Sequence, residues 1–145
     1  SLTKKKILEA AKKAYRRCQK YIQPLPSTTK IIVEELPKYD HADYTEAVEN
    51  RPPRIRLNKT LESDKLVIAA VIHEAAHAHA IIEYGVQSHK GRFLSSMRKI
   101  ALQAYGIALP RRRGVTGLDV ILEEALTRKK AGAKCQKRKK NQKKK

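Results

Sequence analysis

Residues 66–84, with the sequence LVIAAVIHEAAHAHAIIEY, decide the fold of this 145-residue chain. Apolar side chains occupy nearly every side of the helix that this stretch would form, and such a helix belongs at the centre of a domain. Ser63 or Asp64 can cap its first turn, and Gly85 can end it in the left-handed conformation. We therefore predict a buried central helix that runs to about Tyr84.

The pentapeptide HEAAH at residues 73–77 lies in the middle of this predicted helix. Residues four apart share one face of a helix, so His73 and His77 can hold one metal ion together. Glu74 is turned by about 100° from His73, which places its carboxylate beside the ion. This pattern is typical of zinc hydrolases, in which two imidazoles bind the metal and the glutamate acts as general base. Two histidines that only pack are the alternative, but the small residues Ala75 and Ala76 leave room for an ion.

A catalytic zinc usually has three protein ligands and one open position, so a third ligand is expected. His89 is the best candidate, because it follows the end of the motif helix and opens the next predicted helix, which can carry it back over the metal. His79 lies about 200° round the helix from His77 and is predicted to pack. His41, in an upstream loop, and Glu83, which would need a sharply bent helix, are the other candidates. We therefore predict Zn²⁺ in an open site of three histidines.

The other periodic segments predict three more helices and a small sheet. Apolar residues at helical spacing mark the helices, and β-branched or alternating residues mark the strands. The predicted elements are a helix over 3–23, strands over 29–35, 43–48 and 54–57, a helix that ends at Gly106, and a last helix over about 117–131. Arg54 and Arg56 are expected to point outward together from their strand. The sequence therefore predicts an α+β domain.

Two cysteines, Cys18 and Cys135, are far apart and form no Cys-x-x-Cys pair. This argues against a zinc ribbon and gives no disulfide framework. Cys18 falls on the apolar stripe of the first predicted helix, so we expect it to pack in the core. Neither a signal peptide nor an uncharged apolar run of membrane-spanning length is visible, so we expect an intracellular, membrane-free protein of the nucleus, cytoplasm or nucleoid.

Basic charge is concentrated towards the C-terminal end. The chain has 33 Lys and Arg against 14 Asp and Glu, a net charge of +19, and residues 128–145 hold 11 of the basic residues and no acidic one. Such a segment cannot fold alone and is suited to neutralising phosphates, although a solubilising or localisation tail is the alternative. We predict a domain over 1–127 and a disordered tail over 128–145 that binds nucleic acid, most naturally DNA. The expected contacts are Arg111, Arg112, Arg113, Lys137, Arg138, Lys139 and Lys140.

The order of these elements resembles one family. A first helix, short strands ending in RIRLN at 54–58, a buried HExxH helix and then His89 shortly before Phe93 resemble the SprT-like zinc metalloproteases over about residues 5–110. The family commonly has its third histidine in a His-Gly-x-x-Phe context, whereas HKGRF at 89–93 has one more residue before the glycine. The zinc ribbon of many bacterial members is missing from this sequence, and the basic tail is expected to take its role.

The resemblance implies a small, mostly helical, zincin-like domain with a two- or three-stranded sheet and a central HExxH helix. It implies cleavage of proteins bound or crosslinked to DNA, with His73, His77 and His89 as zinc ligands and Glu74 as general base. An oxyanion-stabilising group is not defined by the pattern; Tyr84, Tyr105 or an arginine are candidates.

Three functions therefore compete. The leading hypothesis is a DNA-associated zinc metallopeptidase acting on a protein substrate. The alternative is a non-catalytic basic protein that coats or organises nucleic acid, as in a larger nucleoprotein or virion assembly, with a vestigial or structural metal site. A third is hydrolysis of a small amide or a nucleic-acid bond, which the motif by itself also allows.

Overall fold

Four helices and a three-stranded mixed sheet form the part of the chain that this computed structural model describes, residues 2–111 and 113–128. The elements in chain order are α1 (Lys4–Tyr21), β1 (Lys30–Glu34), β2 (Ala42–Thr45), β3 (Arg54–Asn58), α2 (Asp64–Tyr84), α3 (Arg92–Tyr105) and α4 (residues 115–128). The α+β class predicted from the sequence is confirmed, and the sheet has three strands.

The sheet has the order β1-β3-β2. β3 pairs in parallel with β1, with Ile31 opposite Ile55, and pairs antiparallel with β2, with Tyr44 opposite Ile55. Side chains alternate along β3: Ile55 and Leu57 are fully buried, whereas Arg54 and Arg56 are partly exposed on the other face. β2 is therefore an edge strand, hydrogen-bonded on one side to β3.

α2 lies at the centre of the fold and packs against α1, α3, β2 and β3. Ser63 caps its start by accepting a hydrogen bond from the Leu66 amide, and Gly85 ends it in the left-handed region at φ 68°. By length and composition alone α2 could cross a membrane, but 61% of its apolar window is buried inside the domain. Such burial is what a core helix requires, as the sequence predicts.

α1 covers one side of α2 with an apolar stripe that includes Ile7, Ala11 and Cys18. Cys18 is fully buried, which confirms its expected role in packing. Arg17 joins α1 to the end of α3, because its Nε donates a hydrogen bond to the Ala104 carbonyl at 2.6 Å. A cation at a helix C-terminus is favourable, since the last carbonyls carry partial negative charge.

Asn58, the last residue of the RIRLN stretch, organises the loop that precedes β2. Its buried side-chain amide donates to the carbonyls of Leu36, Pro37 and Asp40, at 3.3, 3.3 and 2.8 Å. The Asn58 side-chain oxygen accepts from the Thr60 amide at 3.2 Å. A buried side chain that satisfies several backbone groups fixes the path of a loop. No sequence pattern predicts this role of Asn58.

Candidate metal centre

Three imidazole rings converge at the surface of α2. His73 and His77 come from α2, and His89 comes from the loop between α2 and α3. The His89 Nε2 atom lies 2.8 Å from His77 Nε2 and 3.3 Å from His73 Nε2, and the three ligand atoms all lie within 4.8 Å of one another. Nitrogens bound tetrahedrally to one zinc ion at its usual distance would lie about 3.3 Å apart. The three histidines therefore fit a metal ion of this size.

The route of the chain to His89 differs from the prediction in one detail. Gly85 ends α2, the chain reverses, and α3 begins at Arg92 after Gly91, whose φ is 54°. His89 therefore lies in the loop before α3 and does not open the helix. Glycines with positive φ at both ends of the loop allow this sharp reversal, which a residue with a Cβ adopts only at a cost.

The other histidines and Glu83 lie outside this cluster. His79 is buried in the opposite direction, and its Nδ1 lies 2.7 Å from Ser96 Oγ of α3. Burial lowers the pKa of His79, and the charge of Lys99 lowers it further. The Nε2 atom of His79 has no hydrogen bond of normal geometry among the described residues. The backbone of Gln23 raises the pKa of His79 and so offsets part of the lowering. His79 is thus a packing residue, as predicted.

Phe93 forms an apolar floor beneath the three imidazoles. Its ring centroid lies 5.0 Å from that of His73, 4.4 Å from that of His77 and 5.0 Å from that of His89. Phe93 is fully buried, so the three imidazoles pack against a side chain of the close-packed core.

Asp119 of α4 contacts the cluster from the side. Its Oδ1 lies 3.0 Å from His73 Nδ1, the ring nitrogen that faces away from the convergence point. No local sequence signal identifies Asp119 as a partner of His73, because 46 positions separate the two residues. A carboxylate in this position is the usual partner of a metal-binding histidine.

Glu74 lies beside the histidines with only 5% of its surface exposed. Burial raises the pKa of its carboxyl to about 7, since a charged carboxylate is poorly solvated there. The charge of His73 acts in the opposite direction, while the nearby carboxylates of Asp43 and Asp119 reinforce the effect of burial. A carboxyl with a pKa near neutrality can both take and release a proton.

His77 and His89 have lone pairs available for a metal, because their pKa values are lowered. Burial, together with the smaller effects of the neighbouring His73 and His89, lowers the pKa of His77 to about 3. Burial also lowers the pKa of His89. For His73, burial alone would lower the pKa, but the hydrogen bond with Asp119 and the nearby carboxylate charges outweigh it and the pKa is raised.

An open cleft of about 800 Å³ surrounds the cluster. β2 and the loop held by Asn58 form one wall, and α2 and α4 form the opposite side. Six carboxylates line it, and the described lining residues include no lysine or arginine. The acidic residues are Asp40, Asp43, Glu46, Glu74, Asp119 and Glu123. Of these, Asp43 is paired with Arg56, whose Nε donates to it at 2.9 Å. The cleft is therefore acidic, although the whole chain is strongly basic.

The candidate oxyanion residues lie elsewhere. Tyr105 is buried beneath Arg17, and Tyr84 lies beside Arg92 outside the cleft. The tyrosines among the lining residues are Tyr39 and Tyr44. Neither Tyr84 nor Tyr105 therefore occupies the position that an oxyanion-stabilising group would need.

The predicted nucleic-acid contacts are only partly described. Arg111 and Arg113 are exposed between α3 and α4. Arg112, Lys137, Arg138, Lys139 and Lys140 lie outside the described residues. The exposed side of α1 adds a second basic surface, which we call the α1 basic face and which comprises Lys5, Lys6, Lys12, Lys13, Arg16 and Lys20.

Comparison of the chain with protein-family models, with curated proteins and with solved structures gives no match. The SprT-like resemblance therefore rests on the residues quoted in the sequence analysis.

Proposed function

We propose that this chain is a DNA-associated zinc metallopeptidase of SprT-like type. The observation that carries the proposal is the convergence of three histidine Nε2 atoms beside a buried glutamate, at the floor of an open cleft. Three protein ligands with free space beside them are the arrangement of catalytic zinc sites, whereas structural sites are closed by four ligands.

The residues of this chain supply the groups that amide hydrolysis needs. When bound, zinc supplies Lewis acidity and makes water a better nucleophile near neutral pH. Glu74 can accept a proton on its carboxylate and return it to the leaving amide nitrogen, because burial brings its pKa to about 7. Phe93 and the side chains around it keep bulk water away from the inner side of the cluster.

The cleft favours a polypeptide over a nucleic-acid substrate. Its carboxylates would repel a phosphate backbone, which disfavours hydrolysis of a nucleic-acid bond at this site. β2 borders the cleft and is hydrogen-bonded on one side, so an extended peptide can pair with its outer edge through backbone hydrogen bonds. The acidic lining further favours peptides rich in Lys and Arg, which are common in proteins that bind DNA.

DNA would be held away from the cleft. The α1 basic face and the lysine-rich tail supply the positive charge that phosphates require. Binding there would bring proteins attached to the same DNA near the cleft, and this raises their local concentration.

Glu74→Gln tests the enzymatic part of the proposal. The variant should still bind one zinc ion but lose cleavage of a DNA-bound protein, because the amide cannot transfer the proton. Glu83→Gln is the matched control, since Glu83 is exposed on the same helix and does not line the cleft. Undiminished cleavage by Glu74→Gln would contradict the proposal.

A non-catalytic nucleic-acid-binding protein is the second candidate. The exposed α1 basic face favours it, since DNA binding needs no metal centre. It predicts tight, salt-sensitive DNA binding together with no cleavage of any basic polypeptide by the zinc-loaded chain. Zinc-dependent cleavage that Glu74→Gln abolishes would exclude it.

A further inference from the structure

We propose that Asp119 is the positioning residue of the metal centre, and that it holds His73 in the one tautomer that can bind the ion. The inference rests on the metal site of the proposed function and extends it to α4, which lies beyond the stretch that resembles the SprT-like family. It assigns a role in metal binding to a helix whose sequence carries no metal-binding motif.

The hydrogen bond determines where the proton of His73 resides. A neutral imidazole carries one N–H, on either Nδ1 or Nε2. An ionised carboxylate can only accept, so the contact between Asp119 Oδ1 and His73 Nδ1 at 3.0 Å requires the proton on Nδ1. The Nε2 lone pair then points at the convergence point, 3.3 Å from His89 Nε2. Without this partner the proton could occupy Nε2, where it would block the metal.

The position of Asp119 is fixed by the packing of α4. Leu118 precedes it and Leu122 follows it by three residues, and both are fully buried in the main core. With these two leucines in the core, the face of α4 that carries Asp119 is directed at α2. The side chain of Asp119 is 33% exposed and that of His73 is 18% exposed, so the pair is only partly screened by water.

Glu123 provides a matched comparison. It lies one helical turn beyond Asp119, lines the same cleft and carries the same charge. It makes no side-chain hydrogen bond to His73, His77 or His89 among the described contacts. Removing Glu123 therefore changes the field of the cleft in a similar way and leaves the histidines untouched, whereas removing Asp119 also removes the contact.

The experiment compares Asp119→Ala with Glu123→Ala in the full chain. Zinc affinity is measured by competition with a chromophoric chelator, and the apo proteins are checked for equal thermal unfolding. Asp119→Ala should weaken zinc binding by about 10- to 100-fold, the range for loss of a carboxylate partner of a ligand histidine. Glu123→Ala should change it by less than about threefold, because a half-buried charge with no described hydrogen bond to the histidines acts weakly at a distance.

A second measurement reads the tautomer directly. Long-range ¹H–¹⁵N spectra of the apo protein, above the pH range in which imidazole is protonated, report which ring nitrogen of His73 carries the proton. We expect Nδ1–H in the wild-type chain and in Glu123→Ala, and a shift towards Nε2–H in Asp119→Ala. A merely structural role for Asp119 would leave this tautomer unchanged.

The outcomes separate the two proposals. If the wild-type chain binds zinc and Asp119→Ala binds it equally well, or if both alanine variants weaken it equally, the positioning role is wrong and the peptidase proposal stands. An unchanged His73 tautomer in Asp119→Ala also overturns the positioning role. If the wild-type chain binds no zinc, both proposals fail. If zinc binds as expected but no polypeptide is cleaved, the peptidase fails and the role of Asp119 in metal binding stands.

Discussion

The cleft and the α1 basic face are opposite in charge, although both belong to one small domain. The cleft is lined by six carboxylates and by histidines, with no lysine or arginine among the described lining residues. The α1 basic face consists of six exposed lysines and arginines, and Glu9 is the one acidic residue of the same helix. In a chain with 33 basic and 14 acidic residues, six of the acidic residues thus line one cleft. Under the proposed function, the two surfaces would serve two kinds of partner, with DNA on the α1 basic face and a basic polypeptide in the cleft.

The largest expected effect comes from removing one of the three clustered histidines. His77→Ala should weaken zinc binding by more than about 100-fold, since losing a ligand exceeds the loss of a ligand's partner. Because His77 lies in the cleft and not on α1, DNA affinity should change by less than about twofold. Chelator competition and fluorescence anisotropy with a labelled duplex measure the two quantities. Equal loss of both would show that the surfaces are not independent.

Neutralising part of the α1 basic face should weaken DNA binding and leave peptide cleavage unchanged. In a Lys12→Gln/Lys13→Gln variant the slope of log affinity for duplex DNA against log salt should fall by up to about 0.9 for each phosphate contact removed. Cleavage of a DNA-free basic peptide should stay the same, because both lysines are remote from the cleft lining.

A charge-matched control sharpens this result. Lys59→Gln/Lys99→Gln removes the same charge from two exposed positions outside α1. An equal drop in slope would mean that net charge, and not the α1 basic face, governs DNA binding.

A smaller effect is expected from the outer carboxylates of the cleft. Asp40→Asn or Glu46→Gln should raise KM for a Lys-rich peptide by about two- to fivefold, the value of one exposed charge pair. KM for a neutral peptide of equal length should be unaffected. Glu62→Gln is the control outside the cleft, and it should leave KM unchanged for the Lys-rich and for the neutral peptide. Equal changes for both peptides would mean that the acidic lining does not select charge.

The core provides a stability effect that is separate from both surfaces. Burial raises the pKa of the Cys18 thiol to about 12, from an ordinary value of 9.0. The unfolded chain therefore releases this proton at lower pH than the folded one, and the free energy of unfolding falls between these two values by up to about 1.4 kcal/mol per pH unit. Cys18→Ala should remove this contribution. Denaturant unfolding of the wild-type chain and of Cys18→Ala at a series of pH values measures this contribution. Plots of the free energy of unfolding against pH should run parallel for the two proteins below about pH 8, where the thiol is protonated in both the folded and the unfolded state. Parallel curves at higher pH would contradict the prediction.

The comparison of expected and observed elements shows where local signals suffice. The bounds of α2 were predicted well, because Ser63 and Gly85 act on their own neighbours. β2 was predicted at 43–48 but occupies Ala42–Thr45, since the length of an edge strand depends on its pairing with β3. The sequence predicts His89 at the start of a helix, but Gly91 has a φ of 54° and α3 begins at Arg92.

The residues of the candidate site also divide into those that local sequence signals predict and those that they do not. His73, His77 and Glu74 could be assigned from the helical period alone, because residues four apart must share a face. His89 could be selected only as the next suitable donor, and its distance from the pair depended on how α3 packs on α2. Asp119 and Asn58 could not be found, since their partners lie 46 and 18 to 22 residues away.

The sequence by itself determined the central helix, the shared face of His73 and His77, and the excess of basic charge, since each follows from nearest neighbours or from composition. The tertiary structure decided which distant groups meet them: His89 from a loop, Asp119 from α4 and the carboxylates that line the cleft. The physical reason is that helix period and capping act within a few residues. Contacts between elements, by contrast, follow from how apolar faces such as those of α2, α3 and α4 are buried together.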